Sequence, residues 1–109
     1  MQIELAVGKL NALAQESRLS IFQLLMKNGS KSMNASSIAK ATSILPNTLS
    51  FHLKELQQAG LVLSEKSGRS VFYSLNTAGY SELLHFLTYE CCLGHPEMCK
   101  PFTKISKLQ

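Results

Sequence analysis

The sequence predicts a mainly α-helical chain with one small β-hairpin, and three observations carry that expectation. Apolar residues recur at helical spacing in several separate stretches. Two β-prone runs flank Ser67-Gly68, the signature of a hairpin. Pro46 and Gly60 bracket one further helix, with proline at its first position and glycine just past its end. At 109 residues the chain has room for one compact core and none for a two-domain enzyme.

The elements follow in order. From Ile3 to Leu13 the apolar positions 3, 6, 7, 10, 13 and 14 keep helical spacing. A second helix is expected from Ser17, a good cap, to about Lys27, with Leu19, Ile21, Phe22, Leu24 and Leu25 facing inward. Asn28-Gly29-Ser30 closes it, and Lys31 to Asn34 reads as polar connector. A short helix, Ala35 to Ala41, offers Ile38 and Ala39 as apolar contacts, and Thr42 to Leu45 is a turn. The helix opened by Pro46 runs to about Ala59, with Leu49, Leu53 and Leu56 in one narrow stripe. Leu61 to Lys66 and Arg69 to Leu75 are the hairpin strands. A last helix starts at Asn76 or Thr77 and carries Tyr80, Leu83, Leu84, Phe86 and Leu87. Gly94 and Pro96 should end it.

This order is that of a winged helix-turn-helix with an additional helix at each end. Both terminal helices are apolar over more than one face, which predicts that they pack against a second copy as dimerisation helices. Residues 1–92 are expected to form the DNA-binding and dimerisation domain, and 93–109 a loosely held tail.

The formal net charge is +4, from 11 Lys and Arg against 7 acidic residues. The acidic residues are all Glu, and eight of the basic ones fall within residues 1–75 with four of the Glu. The positive field on that part favours an anionic partner. No apolar run approaches the roughly 18 residues of a membrane span, and the start lacks the pattern of a secretory signal. A cytoplasmic protein without a membrane partner is the expectation.

With Leu49, Leu53 and Leu56 inward, the helical advance of about 100° per residue points Asn47, Phe51, Lys54 and Gln58 away from the core. Thr48, Ser50 and Glu55 lie on the flanks. Such a face suits a major-groove reader: Asn47, Thr48 and Ser50 can hydrogen-bond base edges, and Phe51 can lie against a thymine methyl. Lys54 can reach a phosphate, as can His52 with its ring turned outward; a partly buried, hydrogen-bonding His52 is the other placement. Lys66 and Arg69 make a basic hairpin tip for flanking phosphates or a minor groove. The bland alternatives are a Phe51 rotated into the core or dimer contact and a merely solvated turn at Lys66 and Arg69.

Leu13 to Phe22, Thr48 to Leu56, Ala59-Gly60-Leu61-Val62 and the Gly68-Arg69-Ser70-Val71-Phe72-Tyr73-Ser74-Leu75 wing together resemble the ArsR/SmtB family of metal-responsive repressors. The resemblance covers roughly residues 3 to 92. It implies a homodimer on a near-palindromic double-stranded operator, joined through the terminal helices.

Cys91, Cys92 and Cys99 lie within nine residues, an odd number that argues against a disulfide framework. Adjacent helical residues point about 100° apart, so a chain break at Gly94 and Pro96 is needed to bring three thiols together. Three soft thiolates suit trigonal As(III) or Sb(III), whereas zinc would recruit a fourth ligand such as His95. The family's usual arsenic repressor carries a Cys-x-Cys motif where this chain has Ser32 to Ser36, without cysteine. Of the paired sites that the zinc type bears on its last helix, only His85 has a counterpart here. The cluster is similar instead to an arsenite-responsive branch with adjacent cysteines at the end of that helix. An As(III)-released repressor is thus expected, with zinc, cadmium or thiol oxidation as alternative signals. Idle or buried cysteines are the bland reading. A thiol enzyme using Cys91 or Cys99 with His95 would lack a visible oxyanion stabiliser and substrate pocket.

Overall fold

The computed structural model describes the backbone of residues 1–94 and the side chains of residues 1–88. Helices α1 (Ile3–Leu13) and α2 (Glu16–Asn28) lead into a two-residue strand β1 (Met33–Asn34). Next come α3 (Ala35–Thr42), α4 (Pro46–Gln58), the hairpin strands β2 (Val62–Ser67) and β3 (Ser70–Leu75), and α5 (Thr77–Gly94). The mainly helical winged helix-turn-helix that the sequence predicts is the fold observed.

Local details differ from the sequence reading, among them that Thr42 is helical and that Arg69 lies in the hairpin turn and not in a strand. Helix α2 starts at Glu16 rather than Ser17, because the Gln15 side chain accepts the Arg18 backbone N–H at 2.9 Å and takes the capping role. Leu19 faces outward at 42% exposed, while Ile21, Phe22 and Leu25 fill the inner stripe. The supposed connector contains β1, which pairs antiparallel with β3, Met33 opposite Tyr73 and Asn34 opposite Phe72. A two-residue strand has no periodicity to read; only the partner strand makes it one.

The sheet order is β1-β3-β2, antiparallel throughout, with the β2–β3 register running from Val62 opposite Leu75 to Ser67 opposite Ser70. That register leaves a two-residue turn, Gly68-Arg69, in which Gly68 alone takes a positive φ of 63°. Glycine at the first central position is what a type II′ hairpin requires.

The core joins Ile21, Phe22 and Leu25 of α2 to Ile38 of α3, the Leu49, Leu53 and Leu56 stripe of α4, and Leu61 and Val62. Each leucine of the stripe is at most 1% exposed, and burying a leucine stabilises by about 1.5–3 kcal/mol. Ser43, the C-cap of α3, is in the left-handed region at φ 59°, and two residues later Leu45 is the N-cap of α4. Asn34 caps α3 by accepting the Ser37 N–H at 2.8 Å.

Both terminal helices keep apolar residues in solvent. On α1, Ala6, Lys9 and Ala12 face inward while Ile3, Val7 and Leu10 are 63%, 48% and 42% exposed. On α5, Leu83 is buried whereas Leu84 and Leu87 are exposed. None of the helices among the described residues is long and apolar enough to cross a membrane.

Candidate nucleic-acid interface

Helix α4 is amphipathic in the strict sense, and that decides which side chains can reach a ligand. The Leu49, Leu53 and Leu56 stripe is anchored in the core, so the polar and aromatic remainder of the helix must face solvent. Asn47, Thr48, Ser50, Phe51 and Lys54 are all exposed, Phe51 at 55%. Leu45, at the N-cap, is 74% exposed.

His52 does not share this face. It is 6% exposed and lies among the buried residues of α4, with Nδ1 at 3.4 Å from Nη1 of Arg18. Of the two placements read from the sequence, the buried, hydrogen-bonding one is observed and the outward, phosphate-reaching one is corrected: position 52 falls beside the leucine stripe, where the Arg18 guanidinium meets it. Burial first, then the Arg18 charge, holds the His52 pKa below the usual 6.5, against a smaller opposing pull from Glu55. The ring still touches the exposed face, since Phe51 packs on it at 5.6 Å between centroids with planes tilted by 59°.

The hairpin carries Lys66 and Arg69, both exposed, at and beside its turn. Its root is tied to α4 where Gln57 Nε2 donates to Ser64 Oγ at 2.7 Å. Arg69 also lines a groove of about 280 Å³ with Asn34, Ser36 and Tyr73, at the start of α3. That grouping depends on β1 pairing with β3 and could not be read from the sequence.

Two cations missed by sequence reasoning hold α4 from behind. Lys9 of α1, only 8% exposed, donates from Nζ to the Ala59 carbonyl at 2.8 Å. Arg18 donates from Nε to the Ala12 carbonyl at 2.7 Å while facing His52. The signal for Lys9 was present in weak form, as a lysine between Ala6 and Ala12 on the inner side of a helical pattern.

Cys91 and Cys92 fall in the last turn of α5, but their side chains lie outside the described residues, as do His95, Pro96 and Cys99 entirely. Among the described residues no group of three or more His, Cys, Asp or Glu could hold a metal ion.

A short helix, a tight turn, an exposed polar helix and a basic two-stranded wing define a DNA-binding winged helix-turn-helix. The helix-turn-helix domain family matches residues 13–65. The transcriptional activator HlyU of Vibrio cholerae is 34% identical over 75% of this chain and 76% of its own length. The uncharacterised HTH-type transcriptional regulator YceK of Bacillus subtilis is 36% identical over 59% of this chain. The match spans 63% of the YceK length, a little under two thirds. Among solved structures, an ArsR-like transcriptional regulator from Rhodococcus superposes with a TM-score of 0.73 at 25% identity, covering 97% of this chain and 93% of that one. A homodimeric winged helix-turn-helix DNA-binding domain from Mycobacterium bovis, described as a possible ArsR-family regulator, gives 0.65 at 25% identity and 85% coverage of both chains. A possible transcriptional regulator for arsenical resistance gives 0.65 at 28% identity, covering 76% of this chain and 83% of that one. The chain belongs to the ArsR/SmtB family of helix-turn-helix transcriptional regulators.

Proposed function

We propose that this regulator is a homodimeric repressor whose hold on operator DNA is released by As(III) or Sb(III) at Cys91, Cys92 and Cys99. The observation that carries the reading is the gathering of three thiols at and just beyond the end of α5, the helix whose Leu84 and Leu87 remain in solvent. With Ile3, Val7 and Leu10 of α1 they supply the apolar surface for a second copy. The homodimeric M. bovis neighbour supports that assembly, and the arsenical-resistance neighbour supports the effector.

In each protomer Asn47, Thr48 and Ser50 read base edges, Phe51 meets a thymine methyl, and Lys54, Lys66 and Arg69 take phosphates. His52 acts from inside, as a packing surface for Phe51. The donor set fits a soft, thiophilic ion: all three candidate ligands are thiols, and none is a carboxylate. An ion bound there acts on the helix that carries part of the dimer surface, so it can favour a dimer geometry whose two α4 helices no longer match a pair of half-sites. The coupling is reciprocal: if arsenite weakens operator binding tenfold, operator weakens arsenite binding about tenfold.

The test is fluorescence anisotropy on a duplex selected by the protein from a random pool, titrated with As(III), Sb(III), Zn(II) and Cd(II). Release by As(III) or Sb(III), abolished in Cys91→Ser, Cys92→Ser and Cys99→Ser without loss of DNA binding, is expected. Release by Zn(II) or Cd(II) alone would move the effector to those ions. Release only after peroxide would make the thiols an oxidation switch. Because HlyU is named an activator, a reporter fused to the selected site must also show that the protein lowers transcription.

A further inference from the structure

Lysine is rarely buried, and an ammonium removed from water is costly unless it is hydrogen-bonded. Lys9 is 8% exposed, and its Nζ meets the Ala59 carbonyl at 2.8 Å. Ala59 is the C-cap of α4, where unpaired carbonyls concentrate the negative end of the helix dipole. No basic residue lies in the last turn of α4 itself, so the complementary charge comes from a helix 50 residues away in sequence. The fit is close: a Cβ on Gly60 would stand 2.8 Å from Lys9 Nζ. The opposite side of α1 carries the exposed Ile3, Val7 and Leu10. Helix α1 thus has the proposed dimer surface on one side and the end of the DNA-facing helix on the other.

We propose that Lys9 is a positioning residue for DNA recognition: by tying the C-terminal end of α4 to α1, it fixes the recognition helix relative to the dimer surface and so sets the half-site spacing. This rests on the dimeric, DNA-binding reading above. Each base pair inserted between half-sites moves one by about 3.4 Å and turns it by about 35°, so a recognition helix rigidly tied to the dimer surface must discriminate sharply between spacings. A helix released at one end tolerates the mismatch. Arg18 gives α1 a second hold on α4 through His52, so loss of Lys9 loosens α4 without freeing it.

The experiment uses the full chain and a bipartite duplex selected by the wild type, rebuilt with spacers one and two base pairs shorter and longer. Lys9→Met keeps the side-chain bulk and removes the donor and charge; Lys9→Ala lets water reach the Ala59 carbonyl. Dimerisation is followed by sedimentation and folding by circular dichroism. The wild type is expected to lose about tenfold or more in affinity for each base pair of misfit, and both variants to stay dimeric with that ratio reduced at least about threefold. Rescue of the ratio by Lys9→Arg would strengthen the assignment. Variants that discriminate as sharply as the wild type overturn the role of Lys9 alone. Unfolding of both variants would assign Lys9 to the fold only and overturn it equally. A wild type that binds no duplex, or binds as a monomer without spacing preference, overturns the dimeric DNA-binding reading beneath it.

Discussion

The Arg18 guanidinium of α2 stands 3.4 Å from Nδ1 of His52 and also donates to the Ala12 carbonyl, so it links the end of α1 to the middle of α4. A guanidinium can only donate, so the contact is favourable with Nδ1 unprotonated and repulsive once the ring is charged. Burial and the Arg18 charge both lower the His52 pKa in the folded chain below its ordinary 6.5. The unfolded chain therefore binds the proton first as pH falls. Stability is full above about pH 6.5 and is lost progressively below it, until the folded-state pKa is passed. Melting temperatures between about pH 5 and 8 should show this slope, and His52→Asn, which keeps an acceptor and cannot titrate, should flatten it. A slope of the same size in the variant would remove His52 as its source.

Gly79 of α5 packs so closely on the chain after α4 that a Cβ there would collide with the Gly60 carbonyl oxygen. Backbone cannot yield as a side-chain tip does. Gly79→Ala should cost at least about 1–3 kcal/mol in urea unfolding, although alanine is the better helix former.

Phe51 and Leu53 are two residues apart on α4 and should behave oppositely. Leu53→Ala empties a site only 1% exposed and should cost about 2–5 kcal/mol of stability. Phe51→Ala, at a position 55% exposed, should change stability by less than about 0.5 kcal/mol while weakening binding to the selected duplex. Chemical denaturation and anisotropy together separate the two effects.

Lys66 and Arg69 are proposed to hold phosphates and not bases. Replacing either by Ala should weaken all duplexes about equally and reduce the slope of log affinity against log salt by about two, one for each protomer of the proposed dimer. A sequence-dependent loss would instead place that side chain in a groove.

The apolar residues left in solvent on α1 and α5 give the assembly prediction. Val7→Glu or Leu87→Glu should convert a dimer into a folded monomer in sedimentation, because a carboxylate buried without a partner opposes association. DNA affinity should fall with the loss of the second recognition helix.

Much of this was legible in the chain itself. Local chemistry sufficed for the helix opened by Pro46, the Leu49, Leu53 and Leu56 stripe, the exposed Phe51 and the turn at Gly68, because each depends on spacing within a few residues. The clustering of Cys91, Cys92 and Cys99 was equally plain as sequence. What only the tertiary structure decided were contacts between distant segments. Strand β1 exists because β3 pairs with it, Arg18 is the group that meets the buried His52, and Lys9 is buried because α4 ends beside it. Periodicity reports which side of an element is apolar; it carries no record of which polar group on another element will stand opposite, and that is settled when the elements pack.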